Sequence, residues 1–260
     1  EFEKENGRLG YNNIKEWLKR VKLCKNDNEL IIATFEKAIK TINQHKAFGK
    51  LENLYIEYAK FYEGIDDLGK ANETFHRATQ LHFRSLESSA NIWCEWTEMH
   101  LRCGNHYDGY YIAKRGCTTS NSYNRNNSDE GGKFKKKINF LIFLDLGKYT
   151  KSLKLWSLYV DLEECYGTVE NVKDIYQRII DKKIANVQTI LNFCEFLERN
   201  NYFENTFRVY EQAINYLSWP YVYDVWIAYL TKFVNRYKGE KIERARDLFE
   251  QVISSAFKEV

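Results

Sequence analysis

A chain of 260 residues with 44% hydrophobic content can bury a sizeable core, yet it holds only 13 glycines and one proline, Pro220. An all-β protein needs turn residues every ~8–12 positions, so this composition excludes one and favours helices with short connections. The net charge of +3 resides in Thr118–Lys137, where Arg125, Lys133, Lys135, Lys136 and Lys137 outnumber Asp129 and Glu130, so the remainder is neutral and lacks the clustered cationic excess of a phosphate-tracking groove.

Taken in chain order, the helical stretches share one spacing, counted here from a leading residue at position i. EWLKRVKLCKNDNELIIATFEKAI is led by Trp17, with Phe35 at i+18. LYIEYAKFYEGIDDLGKANETFHRAT is led by Tyr55, with Tyr58 at i+3, Phe75 at i+20 and Arg77 at i+22. IWCEWTEMHLRCGNHYDGYYIAKRGC is led by Trp93, with Trp96 at i+3 and Arg115 at i+22. LWSLYVDLEECYGTVENVKDIYQRII is led by Trp156, with Tyr159 at i+3 and Tyr176 at i+20. ILNFCEFLERNNYFENTFRVYEQAI is led by Ile190, with Phe193 at i+3 and Tyr210 at i+20. WIAYLTKFVNRYKGEKIERARDLFEQ closes the series with Trp226, Tyr229 at i+3 and Phe249 at i+23.

The leading positions are 17, 55, 93, 156, 190 and 226, so the intervals are nearly equal except the one from 93 to 156, which spans a different kind of segment. Such self-similarity predicts a solenoid of helix hairpins. The first helix presents its leading residue and the residue three on to one face, since i and i+3 are neighbours on a helix. The second helix is expected to return its Tyr or Phe against that same pair. Ala38, Ala78 and Ala213 let the helices approach closely. Glycine breaks at Gly104 and Gly167 mark the hairpin turns, and Pro220 is expected to open a helix, because proline suits a first turn.

The polar, glycine-bearing run SNSYNRNNSDEGGKFKKK predicts a disordered insertion over residues 120–137. INFLIFLDLGKY after it is apolar enough to dock on the array. The predicted organisation is therefore repeats 1–3 over residues 1–119, the insertion, and repeats 4–6 over residues 138–260, all one solenoid.

A helix pair of this length with this aromatic head and the second-helix signatures FEKAI, FHRAT, YQRII, YEQAI and FEQVI resembles the HAT repeat, half-a-TPR. The blocks KAFGKLENLYIEYAKFYE, IWCEWTEMHLR, KSLKLWSLYVDLEECYGTVE and SWPYVYDVWIAYLTKFVNRYKGEKIERARDLFEQ resemble the middle of the Syf/XPA-binding-protein family of pre-mRNA splicing factors. The resemblance covers residues from about 13 to 255, apart from the polar insertion. It implies an all-α, right-handed superhelix of about six HAT hairpins. It also implies a nuclear, non-enzymatic scaffold in the NineTeen complex of the spliceosome, with a link to transcription-coupled DNA repair. Partners would be spliceosomal proteins, with no cofactor, membrane or small-molecule substrate. HAT subunits of mRNA 3′-end processing are an alternative within the same repeat class.

Sharper readings compete at several places. Cys94, His100, Cys103 and His106 are residue types that hold zinc. However, His100 lies at i+7 from its leading Trp93, a position taken elsewhere by Tyr62, Glu163, Leu197 and Phe233, which favours packing. The pairs Glu163–Glu164 and Glu195–Glu198 read as solvated faces or ion-pair partners rather than catalytic carboxylates. Lys133, Lys135, Lys136 and Lys137 form a short basic patch suited to RNA contact or nuclear import, or to a plain solvated linker. The alternating charges of ERARDLFEQ favour an exposed or repeat-bridging helix face. None of the six cysteines forms C-x-x-C, and several sit within apolar helical patterns, as expected in a reducing compartment. With no secretory leader and no initiator Met, the chain reads as a piece of a longer protein.

Overall fold

The computed structural model of the protein describes residues 11–24, 27–81, 83, 85–118 and 152–258. The predicted insertion at 120–137 and the apolar run after it lie outside the described residues. Among those described, the protein is all-α, with twelve helices. In chain order they are α1 (Ile14–Leu23), α2 (Asn28–Thr41), α3 (Leu51–Gly64), α4 (Leu68–Thr79), α5 (Leu86–Arg102), α6 (His106–Cys117), α7 (Leu153–Tyr166), α8 (Val169–Asp181), α9 (Val187–Arg199), α10 (Phe203–Tyr216), α11 (Tyr223–Tyr237) and α12 (Ile242–Lys258). The chain divides into two compact units, Glu1–Tyr159 and Val160–Val260.

Short polar side chains set the helix starts. Asn13, Asp27, Asp67, Ser85, Thr168 and Asn186 each accept a hydrogen bond from a backbone N–H of the first turn. Such a bond satisfies one of the donors left open at a helix N-terminus. The hairpin turns are equally local. Asp66, Gly104 and Asn201 share one offset, i+11, from the leads at 55, 93 and 190, and each takes a positive φ, of 60°, 77° and 64°. A left-handed residue there ends the first helix and turns the chain back, and Gly, Asn and Asp tolerate it best. Pro220 does not open a helix. It sits in the turn before α11, where its carbonyl accepts from Tyr223 N (3.1 Å) and Val222 provides the N-cap position. The short loop ahead of α3 is tied to α1 by Ile14 N donating to Phe48 O (3.1 Å) and Phe48 N donating to Asn12 O (2.8 Å).

Helices pack sequentially. In the first unit α1 pairs with α2, α3 with α4 and α5 with α6; in the second α9 pairs with α10 and α11 with α12. The first helix of a hairpin also packs on the first helix of the next, as α3 does on α5 and α9 on α11. The interior of each unit is lined by the large side chains that lead the hairpins: Trp17 and Trp93 in the first, Ile190 and Trp226 in the second. Close approach requires Gly116 in α6, where a Cβ would lie 3.0 Å from Leu155 Cδ2 and 3.2 Å from Trp93 Cδ2.

Candidate interaction surface

Four ring stacks between successive hairpins follow one rule. The eighth residue of a hairpin's second helix stacks on the residue three after the lead of the following hairpin. Phe35 stacks on Tyr58 at 4.6 Å and 19°, and Phe75 on Trp96 at 6.0 Å and 13°. In the second unit Tyr176 stacks on Phe193 at 4.6 Å and 12°, and Tyr210 on Tyr229 at 5.3 Å and 14°. Within the first helices, Trp93 meets Trp96 at 5.6 Å, Trp156 meets Tyr159 at 6.5 Å and Trp226 meets Tyr229 at 6.1 Å. In α6 the eighth residue is Ala113, and Tyr110, one turn earlier, meets Tyr159 at 6.0 Å instead. The second-helix aromatic thus joins its hairpin to the next one, whereas the spacing pairs it with its own.

The structure buries Trp17, Phe35, Tyr55, Tyr58, Phe75, Trp93, Trp96, Trp156, Tyr159, Tyr176, Phe193, Tyr210, Trp226 and Tyr229. Phe249 departs from the expectation for an anchor. It is 47% exposed, while Leu248 beside it is 1% exposed. The register is unchanged, since Leu248 matches the buried Thr34, Thr74, Ile175 and Val209 that precede the aromatic in other hairpins. What Phe249 lacks among the described residues is a following hairpin to cover it.

In two of the stacks the glutamate directly after the second-helix ring accepts from the incoming tyrosine. Tyr58 Oη donates to Glu36 Oε1 (3.2 Å), and Arg77 Nη1 donates to the same oxygen (2.8 Å). Tyr229 Oη donates to Glu211 Oε1 (3.1 Å), and Arg244 Nη2 reaches it at 3.0 Å. Both glutamates are the ninth residue of their helix, immediately after the stacked ring. The Arg77 guanidinium holds the Glu36 carboxyl below the usual carboxylate range, against a smaller opposing effect of burial. Burial, reinforced by the Glu211 carboxylate, pushes the Tyr229 phenol up to about 12. Further ties run from Arg102 to Glu63 (2.8 Å), Lys60 to Glu95 (3.2 Å) and Lys232 to Glu198. On ERARDLFEQ, Arg246 pairs with Glu243 along α12 (3.1 Å) and Arg244 bridges to α10, so the segment is both an exposed face and a bridge.

The residue types suited to zinc are dispersed. Cys94 is buried, His106 is exposed, and His100 Nε2 lies 2.7 Å from Asn72 Oδ1, which also accepts from Trp96 Nε1 (2.6 Å). Among the described residues no group of three or more His, Cys, Asp or Glu is placed to hold a metal. Burial lowers the pKa of His100, opposed by Asp108, whose Oδ2 is 4.0 Å from Nδ1. Glu163 corrects the solvated-face reading. It is 1% exposed, and its Oε1 accepts from Asn171 Nδ2 at 2.9 Å. It occupies the same i+7 position as Tyr62, His100, Leu197 and Phe233, all buried. Glu164 accepts from Tyr176 Oη (3.0 Å), Glu195 pairs with Arg199 (2.7 Å), and Glu198 pairs with Lys232, as ion-pair or hydrogen-bond partners.

Comparison with known proteins gives this geometry a family. Residues 44–260 match the model of the pre-mRNA-splicing factor Syf1/CRNKL1 C-terminal HAT repeat. The chain belongs to the Syf1/CRNKL1 HAT-repeat family. It is 41% identical over 243 residues to the pre-mRNA-splicing factor syf1 homolog of Drosophila melanogaster, covering 93% of this chain and 26% of the relative. It is 36% identical over 246 residues to cwf3 of Schizosaccharomyces pombe, covering 95% and 30%, and 38% identical over 240 residues to SYF1 of Homo sapiens, covering 92% and 27%. The chain therefore spans less than a third of the length of these relatives.

Within the HAT frame, the polar partners Glu36, Glu211 and Asn72 carry no mark in the aromatic spacing, whereas buried Glu163 shares the i+7 packing position with His100. A signal for the glutamates does exist: Glu directly after the second-helix aromatic coincides with Tyr, not Trp or Phe, at the next hairpin's stacking position. Lys133, Lys135, Lys136 and Lys137 lie outside the described residues. No helix among the described residues is long and apolar enough to cross a membrane.

Proposed function

We propose that this HAT array is a non-enzymatic protein–protein scaffold in pre-mRNA splicing, holding spliceosomal proteins of the NineTeen complex in the nucleus. The observation that carries the reading is the family match over residues 44–260, taken with relatives named as pre-mRNA-splicing factors. The side-chain chemistry agrees with it. The acidic, tyrosyl and arginyl groups gathered between hairpins bond to one another, which rigidifies the array and leaves the exposed faces of the helices for partners. The aromatic residues act as repeat anchors, and the mechanism is positional: fixed hairpins set fixed distances between bound proteins.

The test is depletion and add-back. Nuclear extract depleted of the full-length protein should lose splicing of a reporter pre-mRNA and regain it with wild-type protein, but not with protein lacking this array. Undiminished splicing without the array overturns the proposal. The same extract distinguishes an RNA-contacting module built on Lys133, Lys135, Lys136 and Lys137. Ultraviolet crosslinking of RNA to this region, abolished by deleting residues 120–137 and steeply reduced by added salt, replaces the pure scaffold with that reading.

A further inference from the structure

We propose that His100 is a proton-operated release between two successive hairpins: a proton taken up at its Nδ1 loosens the packing of α5 against α4. This concerns the chain's response to acid and does not depend on the splicing role.

The bonding around the ring fixes its state at neutral pH. An indole nitrogen only donates, so the Asn72 atom 2.6 Å from Trp96 Nε1 is an oxygen. The same oxygen lies 2.7 Å from His100 Nε2, which must then carry a hydrogen to donate. A neutral ring with its hydrogen on Nε2 leaves a bare lone pair on Nδ1. That atom is buried and has no hydrogen-bond partner among the described residues. Asn72 belongs to α4, and Trp96 and His100 belong to α5. One amide oxygen therefore clasps two hairpins through two donors of the incoming helix. Trp96 also stacks on Phe75 of α4, so the clasp and the ring stack share one joint.

A proton arriving at Nδ1 is poorly answered. Asp108, in the first turn of α6, holds its Oδ2 4.0 Å away, beyond hydrogen-bond length, and its side chain is 63% exposed. Gly109 already sets this turn of α6 close against α5, since a Cβ there would lie 3.2 Å from Leu101 Cδ2. The gap is therefore not closed by α6 moving inward. Charged groups on the helices packed against α5 are engaged elsewhere or face solvent. On α3, Glu63 pairs with Arg102, Lys60 pairs with Glu95, and Glu57 is exposed. On α4, Lys70 pairs with Asp67, Arg77 pairs with Glu36, His76 contacts Gln80, and Glu73 is exposed. On α6, Lys114 lies over Tyr110, Arg115 lies over Trp93, and His106 is exposed. Lys154 of α7 donates to Asn91.

Burial thus outweighs Asp108 and holds the His100 ring below the ordinary histidine value of 6.5. The unfolded chain takes up the proton first. The stability supplied by neutral His100 is therefore fully present above 6.5 and is lost as pH falls from there through the lower folded value. At the same position of two other hairpins, Leu197 and Phe233 carry no titratable group, so those joints lack this response.

The experiment follows His100 in the whole chain by NMR of its ring nitrogens and by urea unfolding at matched pH. Expected are a ring protonated on Nε2 alone at neutral pH and a titration midpoint below 6.5. The urea midpoint should fall as pH is lowered from one unit above that value to one unit below. His100→Gln keeps a donor for Asn72 but takes up no proton, and should lose most of that fall. Amide protection in α4 and α5 should decline with pH relative to α1 and α2 in wild type, but not in this variant. Asn72→Asp keeps the acceptor and adds a charge, so it should raise the His100 midpoint above that of wild type and remove the fall. A histidine that merely fills space would show neither change. Should either variant fail to fold, the ring titration of the wild-type chain decides by itself. A hydrogen on Nδ1 at neutral pH, a midpoint at or above 6.5, or an equal fall in His100→Gln overturns the proposal.

Discussion

Phe35 and Phe249 occupy the same position of the same signature, FEKAI and FEQVI, yet their removal should have unequal consequences. Phe35 is buried and stacked 4.6 Å from Tyr58. Truncating a buried phenylalanine to alanine costs ~3–5 kcal/mol, combining lost transfer energy with the cavity left behind, and the stack accounts for ~0.5–1.5 kcal/mol of it. Phe249 is 47% exposed and has no ring of a following hairpin upon it. Its truncation should stay within about 1 kcal/mol, near the range of ordinary surface changes. At ~2–4 °C per kcal/mol for a unit of about 150 residues and ~4–8 °C for one of about 100, Phe35→Ala in the first unit should lower the melting midpoint by roughly 6–20 °C, and Phe249→Ala in the second by at most about 8 °C. Because repeat arrays depart from two-state behaviour, circular dichroism melts should be paired with amide exchange in each unit. Tyr210→Ala provides the same contrast inside the second unit. Equal losses at Phe35 and Phe249 would refute the claim that the following hairpin, not the helix's own partner, stabilises this position.

Three further outcomes follow from specific contacts. Glu36→Gln should destabilise by ~1 kcal/mol or less at neutral pH, since its ion pair with Arg77 is partly solvent-screened. The folded-state pKa of Glu36 is lowered, so the wild-type advantage is present above the ordinary value of 4.5 and should vanish as pH falls through the lower folded value; a gap that persists in acid contradicts this. Gly116→Val should destabilise by ~1–3 kcal/mol through overpacking against Leu155 and Trp93, and a melting temperature equal to wild type would deny the close approach. A thiol reagent should label exposed Cys165 quickly in the native protein. It should spare Cys94 and Cys194, buried and with thiols pushed up to about 11 and about 12, until urea unfolds the chain; rapid native labelling of either would contradict their burial.

Much of the architecture was legible because its determinants are local. Capping residues such as Asp67 and Thr168, and turn residues at a constant offset from the lead, fix where helices begin and reverse. The pairing of rings was less legible for a physical reason. The offset inside a hairpin is i+20 for Tyr55–Phe75, Trp156–Tyr176 and Ile190–Tyr210, with i+18 for Trp17–Phe35 and i+23 for Trp226–Phe249 on either side, and that repeated value invites the conclusion that its two ends touch. The offset actually bridged by stacking runs from a second helix to the next first helix and varies with loop length: i+23 for Phe35–Tyr58, i+21 for Phe75–Trp96, i+17 for Tyr176–Phe193 and i+19 for Tyr210–Tyr229. Variable loops hide that contact from any fixed-period reading. Glu163 was obscured by its neighbour Glu164: two adjacent carboxylates look like a wet face, but a helix rotates them about 100° apart, and only the first points inward toward Asn171.

The polar contacts between hairpins bear on why such an array could act by position. Stacked rings alone tolerate sliding and rotation, since dispersion is non-directional at the scale of a ring. A carboxylate that accepts at once from a phenol and a guanidinium is directional. Glu36 receives Tyr58 from α3 and Arg77 from α4, the two helices of one hairpin, and Glu211 receives Tyr229 from α11 and Arg244 from α12 in the same way. Each glutamate therefore senses both helices of the incoming hairpin, so a hairpin that enters rotated satisfies one donor and loses the other. That makes the joint specific in angle while each bond, being partly exposed, adds little to stability. Replacing Glu211 by leucine separates these contributions. The melting midpoint should change by only a few degrees, whereas amide exchange across α11 and α12 should accelerate more than across α9 and α10, because the joint is loosened and not the helices. A uniform change in exchange over all four helices would mean that the glutamate contributes bulk stability and does not set register.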